Sequence, residues 1–265
     1  MSRIIVITSG KGGVGKTTVT SNLGAALARL NRKVALVDAD FGLRNLDLLL
    51  GLEERVVYTA LDVLAGECRL PQALVKDKRL DGLVLLPAAQ NRNKESVEPE
   101  QMETIINDLA KDHDYIIVDS PAGIELGFRN AIVAAREAII VTTPEIAAVR
   151  DADRVIGLLE AEGISKINLI VNRVKPRMVE ENKMMSVEDV LELLGVPLIG
   201  VVPDNELVIV ATNKGEPLVV GHEDSLPAMT FHNMARRLEG EKVPFLDISS
   251  SESSILSRLR KFFGG

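Results

Sequence analysis

The sequence predicts an α/β fold: a mostly parallel, twisted sheet with helices on both faces, followed by an amphipathic C-terminal helix on a flexible tether. Three observations predict it. Apolar residues make up 46% of the 265 and aromatic residues only 3%, with no Trp, so the core must be built from Val, Ile, Leu and Ala; that composition suits strands buried on both faces. Short β-branched runs alternate with longer helical patterns, the order that a helix-covered parallel sheet requires. A Ser-rich stretch then separates this body from a last segment with a single apolar stripe.

Strands are expected at 3–8 (RIIVIT), 33–38 (KVALVD), 83–87 (LVLLP), 115–119 (YIIVD), 137–143 (EAIIVTT), 167–172 (INLIVN) and 197–203 (PLIGVVP). Most are apolar at successive positions, as buried parallel strands are. Helices are expected near 16–30, 99–111, 145–162, 186–194 and 226–239. The chain then divides into a body over 1–246, a linker over 247–253 within DISSSESS, and a helix over 254–265. No apolar run approaches the ~20 residues that span a bilayer. The apolar run of MSRIIVITSGKGG is too short for a signal peptide, and Cys68, the single cysteine, cannot build a disulfide framework. A cytoplasmic protein is expected.

The strongest motif is SGKGGVGKTT (9–18), between an expected strand and an expected helix. Gly10, Gly15, Lys16 and Thr17 fit the P-loop pattern G-x-x-x-x-G-K-[ST], and the motif spans Gly10, Lys11, Gly12, Gly13, Val14, Gly15, Lys16, Thr17 and Thr18. Its glycines let backbone N–H groups curl around nucleotide phosphates, Lys16 reaches the β- and γ-phosphates, and the Thr17 hydroxyl serves Mg²⁺. Lys11 is not needed for that cradle. It is either a solvated lysine on the loop tip or a cation aimed at a phosphate held by a second subunit. VDADFG puts Asp38 and Asp40 at the carboxyl end of the second strand, where α/β ligands bind. YIIVD ends in Asp119, a Walker-B-like acid for the outer shell of Mg²⁺. SPAGIE (120–125) reads as a loop that senses the γ-phosphate, with Gly123 free to move. Asn172, Arg173, Pro203 and Asp204 end the sixth and seventh strands, either as loop residues with local turn roles or, as the family resemblance given below implies, at the base. No N-K-x-D pattern occurs, which favours adenine over guanine.

KGGVGKT with the extra lysine, VDADFGLRNLDLLLG (37–51), YIIVDSPAGIE (115–125) and TTPEIAAVRDADR (142–154) resemble the MinD/ParA family of ATPases with a deviant Walker A motif, over nearly the whole chain. The resemblance implies a homodimer formed with ATP and Mg²⁺ in which Lys11 acts between subunits. It implies that Asp40 positions the hydrolytic water, that Asn45 helps orient it, and that Asp38 joins Thr17 and Asp119 in the metal shell. It further implies a division inhibitor (MinC-like) and a topological regulator (MinE-like) as partners, met across the dimer seam through Arg44, Arg150, Asp151 and Arg154, with the two segments that carry them next to each other; the alternative for these residues is a solvated charged face. Iron–sulfur relatives are excluded, because one cysteine can neither bridge a cluster nor form C-x-x-C. The three histidines, His113, His222 and His232, have no metal-ligand spacing.

The tail completes the reading. On a helix, Ile255, Leu256, Leu259, Phe262 and Phe263 form one apolar stripe, flanked by Arg258, Arg260 and Lys261. About ten helical residues reach ~15 Å, half a bilayer core, so this helix suits the interface of an anionic membrane rather than a span. One such helix binds weakly, and a dimer holding two gains avidity. The expected function is a membrane-cycling ATPase on the cytoplasmic face of the inner membrane that recruits a cell-division inhibitor to place the septum. The alternatives are a ParA-type partition ATPase riding on DNA and a small-molecule kinase. Residues 1–252 carry 28 cations against 38 anions, a balance of −10 that disfavours nucleic acid as a partner.

Overall fold

A computed structural model describes residues 2–41, 44–89, 97–124 and 126–248. Eight strands make one sheet: β1 Arg3–Thr8, β2 Val34–Asp38, β3 Val75–Lys76, β4 Leu83–Leu86, β5 Tyr115–Asp119, β6 Glu137–Thr142, β7 Lys166–Val174 and β8 Leu198–Pro203. Their order is β3-β4-β2-β5-β1-β6-β7-β8, and every pairing is parallel except β3 with β4. The seven expected strands are present, with ends shifted by two residues at most. The addition is β3, a two-residue antiparallel edge.

The helices are α1 Lys16–Arg29, α2 Leu46–Leu49, α3 Ala60–Leu64, α4 Leu70–Ala73, α5 Pro99–Leu109, α6 Leu126–Ile132, α7 Ile146–Ala161, α8 Pro176–Glu180, α9 Val187–Leu194, α10 Glu206–Asn213, α11 Leu218–Gly221 and α12 Leu226–Leu238. The five expected helices are α1, α5, α7, α9 and α12. Strand alternation divides the core in two. Ile4, Val6, Ala35, Val37, Ile116 and Val118 face one side, where α5 and α7 bring Met102, Ile106, Val155 and Leu159. Ile5, Ile7, Val34, Leu36 and Ile117 face the other, where α1 and α12 bring Val19, Leu23, Leu27, Phe231 and Met234. Helix α1 packs on β2 and β5 beside α12, which itself packs on β8; the small residues of α1 let it lie close to the sheet, since a Cβ on Gly24 would stand 2.5 Å from Leu36 Cδ2.

β1 is central, with β5 on one side and β6 on the other, and β2 beyond β5. The loops after β1, β2 and β5 therefore gather at adjacent carboxyl ends of the sheet, where the connections change direction and α/β folds bind ligands. After α12 the chain runs along the outer edge of β8. Arg237 holds it there, donating to Ile199 O at 2.9 Å, Val243 O at 3.0 Å and Pro244 O at 2.8 Å, with its guanidinium 4.0 Å from the centre of the Phe245 ring. Ile248 packs partly buried against the α5–α7 core, so the packed chain extends past residue 246. The membrane residues expected at Ile255, Leu256, Arg258, Leu259, Arg260, Lys261, Phe262 and Phe263 lie outside the described residues, as does Glu125. Among the described residues, no helix is long and apolar enough to cross a membrane.

Candidate nucleotide site

The P-loop joins β1 to α1 as the motif requires. Gly13 and Gly15 take φ of 77° and 101°, values open to glycine but strained for other residues, and Gly15 caps α1. The first turn of α1 carries no acid, so its free N–H groups face a site suited to an anion. Two neighbours, Asp151 and Asn172, crowd the loop, and Ala122 lies in ordinary contact with it. A Cβ on Gly10 would stand 2.2 Å from Asp151 O, one on Gly12 3.7 Å from Ala122 Cβ, and one on Gly15 2.3 Å from Asn172 Nδ2.

Lys16 turns inward, buried, and donates from Nζ to Ser9 Oγ at 3.1 Å, while Ser9 Oγ donates to Lys11 O at 2.8 Å. Burial lowers the pKa of Lys16, opposed by the charges of Asp119 and Asp40. Lys11 turns outward. Its ammonium lies 3.3 Å from Glu145 Oε2, and the two side chains are 44% and 57% exposed.

Asp38 and Asp119 are register neighbours at the ends of β2 and β5. Burial raises Asp38 to about 8, helped by the charge of Asp119, and burial raises Asp119 to about 6. Asp38 organises the next loop: its two oxygens accept from the backbone N–H of Asp40 at 3.0 Å and of Leu46 at 3.3 Å. Asp119 accepts from Thr20 Oγ1 at 2.9 Å and from the Thr17 hydroxyl. Two adjacent buried carboxyls held toward neutrality beside a hydroxyl form a hard-oxygen set that a divalent cation would stabilise. Mg²⁺ typically takes one or two carboxylates plus phosphate oxygens, so the residues fit it. Among the described residues, no group of three or more His, Cys, Asp or Glu is placed to hold a metal ion.

Beside the P-loop opens a cleft of about 950 Å³. Asn172, Arg173, Pro203 and Asp204, the expected base residues, all line it with Gly15 and Thr18. A bulge in β7 builds this wall: the β7–β8 register shifts between Val171 and Val174, and Arg173 sits at φ 57° with its N–H on Asn172 Oδ1 at 2.9 Å. Asn172 Nδ2 donates to Val14 O at 2.7 Å, so this residue holds the P-loop as well as facing the cleft. Lys175 pairs with Asp204 at 3.2 Å.

The expected partner surface divides. Arg150 is exposed, and Arg154 pairs with Asp151 at 3.5 Å on α7. Arg44 does not join them on an open face. It has φ 43°, its side chain is 13% exposed, and its Nε donates to the buried Asp47 Oδ2 at 2.6 Å. Helix α2 packs on α1 and α10, whereas the body of α7 packs on β6 and α9; the start of α7 reaches both layers, with Ala148 in the core of Leu46 and Val149 in the other. Asn45 caps α2 through its backbone alone and is exposed. Sequence reasoning passed over Ser9, Thr20 and Glu145, and also Met178, Met184 and Met185, which line the cleft. Only Thr20 carries a sequence signal: it lies three residues past Thr17, on the same helix face.

The family model for the CobQ/CobB/MinD/ParA nucleotide binding domain matches residues 5–218. The septum site-determining protein MinD of Synechocystis sp. is 66% identical over 261 residues, 98% of each chain. MinD in the MinC:MinD cell division protein complex of Aquifex aeolicus is 48% identical with a TM-score of 0.87, over 93% of this chain and 99% of that one. MinD of Pyrococcus horikoshii complexed with Mg-ADP is 34% identical with a TM-score of 0.83, over 92% and 100%.

Proposed function

Because the chain belongs to the MinD branch of the CobQ/CobB/MinD/ParA nucleotide-binding family, we propose that it is an ATPase that dimerises with ATP, binds the inner membrane reversibly on its cytoplasmic face and recruits a MinC-like division inhibitor. The MinC partner is argued from the Aquifex complex, and Mg²⁺ with an adenine nucleotide from the Pyrococcus one. A MinE-like regulator is expected from the family resemblance. One observation of the chain itself supports the dimer best: a single loop carries one lysine buried against its own Ser9 and another turned out to the solvent.

The residues divide the work. Backbone N–H groups of Gly10 to Thr18, with Lys16, bind the phosphates; Asn172, Arg173, Pro203 and Asp204 border the base. Thr17, Asp38 and Asp119 would hold Mg²⁺, which when bound supplies positive charge to the β- and γ-phosphate oxygens of ATP. Asp40 orients the attacking water. Two observations support that reading: Asp38 accepts from the Asp40 N–H, and the charge of Asp40 acts on Lys16. Lys11 contributes to the phosphates of a second subunit. Residues 254–265 supply one weak membrane contact per chain, which dimerisation doubles.

Co-sedimentation with anionic vesicles tests this. The parent should pellet with ATP and not with ADP. Lys11→Ala should keep one nucleotide per chain and stay in solution. Phe262→Glu should dimerise with ATP and stay in solution, because a charge then sits on the apolar stripe. ATP-independent pelleting by the parent, or full pelleting by Lys11→Ala, sinks the dimer switch. Salt-sensitive pelleting with DNA in place of vesicles moves the protein to the partition class.

A further inference from the structure

We propose that Thr20 is a positioning residue for the metal-holding carboxylate, fixing the plane of the Asp119 carboxylate. The inference rests on the reading of Asp119 as a holder of Mg²⁺ and deepens it.

Thr20 is fully buried and does not line the cleft. Its Oγ1 is 2.9 Å from Asp119 Oδ1 and 3.1 Å from Lys16 O, the preceding helical turn's carbonyl. A hydroxyl has one proton to donate, and a carboxylate is the stronger acceptor. The Lys16 carbonyl is the ordinary resting place of a threonine hydroxyl in a helix. The hydroxyl stays within reach of that carbonyl and makes its shorter contact to β5, a strand 99 residues along the chain. Asp119 is itself buried, so no water is at hand to take over Oδ1. With Oδ1 held by Thr20, the carboxylate plane is fixed, and the Thr17 hydroxyl meets the same carboxylate. Thr17 and Thr20 thus divide the carboxylate's neighbourhood: Thr17 stands at the phosphates, and Thr20, one turn deeper, sets the carboxylate plane. Partners that orient metal-holding groups without touching the metal typically contribute about 10–100-fold in metal affinity.

The test measures binding, not turnover. Fluorescent ADP is titrated into the full-length protein at fixed Mg²⁺ levels and in EDTA, and the Mg²⁺ concentration at half-maximal enhancement is read. Thr20→Val keeps the β-branched shape and removes the hydroxyl. It should raise that concentration about tenfold and leave ADP affinity in EDTA within about twofold of the parent. Thr20→Ser keeps the hydroxyl and should restore the parental Mg²⁺ dependence. A parental Mg²⁺ midpoint in Thr20→Val overturns the proposal. An equal loss with and without Mg²⁺ also overturns it, because that is the mark of a role in packing alone. Should Thr20→Val fail to fold, Thr20→Ala against Thr20→Ser decides in the same assay. A parent whose ADP binding ignores Mg²⁺ removes the metal reading of Asp119, and the role of Thr20 with it.

Discussion

Replacing Asn172 by Ala separates two roles that this side chain can serve. Facing the cleft, it can touch a base. Reaching the other way, it holds the P-loop through Val14 O at 2.7 Å and the bulge through the Arg173 N–H at 2.9 Å. Asn172 is 7% exposed, so truncation strands one buried carbonyl and one N–H. A buried polar group without a partner costs about 1–3 kcal/mol. Arg173 is exposed on a cleft that admits water, so its N–H costs little, and the buried Val14 carbonyl carries a loss of about 2 kcal/mol. Expressed as lost order in the phosphate cradle, about 2 kcal/mol weakens binding roughly 30-fold. The assay is competition against a fluorescent nucleotide, using ADP and, separately, inorganic tripolyphosphate, which has no base. Support of the loop by Asn172 predicts that both competitors weaken by similar factors. If ADP weakens while tripolyphosphate stays within twofold of the parent, Asn172 acts on the base alone and the loop-holding argument is refuted.

Asp40→Ala should bind ATP with near-parental affinity, hydrolyse it slowly and accumulate the dimer; light scattering that shows a monomer with ATP contradicts the water-orienting role. Arg237→Ala removes three hydrogen bonds to carbonyls at the β8 edge and a ring contact that is worth about 0.5–1 kcal/mol at exposed sites. Since water can replace the outer bonds, a loss of about 1–2 kcal/mol is expected in urea unfolding, with early proteolysis near residues 241–248; unchanged stability means that the strap is not held there. Asp38 and Asp119, raised to about 8 and about 6, keep protons that the unfolded chain releases near pH 4. The folded ligand-free protein therefore binds more protons, and its stability should fall as pH rises through that window. His232, lowered by burial, works the opposite way over a smaller span. A flat or rising urea midpoint between about pH 5 and pH 8 contradicts the burial argument.

The fold was legible where burial on both faces writes continuous apolar runs, as in VALVD and YIIVD. It was illegible where elements are too short for a period to show. β3 has two residues, and α2, α4 and α11 have four each. Helix α10, ELVIVATN, is β-branched enough to read as a strand. It becomes a helix because Asn205 Oδ1 accepts from Leu207 N at its start and no neighbouring strand claims it. In the site, the motif spells out the groups that touch phosphate. The groups that hold them, Ser9 under Lys16 and Thr20 under Asp119, depend on distances across the fold, and spacing along the chain does not encode those. Arg44 shows the converse limit. Its charge suggested an open contact surface, but its partner three residues on, Asp47, is buried and draws the guanidinium inward.

The two lysines of the loop differ in what a phosphate does for each. Lys16 is buried, and its charge is already disfavoured by desolvation. A triphosphate in the same cleft would relieve that cost, so its removal should abolish nucleotide binding in a single chain. Lys11 holds an exposed pair with Glu145, 3.3 Å long, of a kind worth about 0–1 kcal/mol. Such a pair restrains the lysine too weakly to compete with a polyanion. Glu145 also caps the start of α7, the helix whose Asp151 carbonyl abuts Gly10. A second subunit that took Lys11 from Glu145 would therefore alter the charge at the end of the helix that carries Arg150 and Arg154. In that arrangement the inner lysine sets how tightly ATP is held. The outer one reports whether a second ATP-bearing subunit is present, and it does so at the helix proposed to meet the partner.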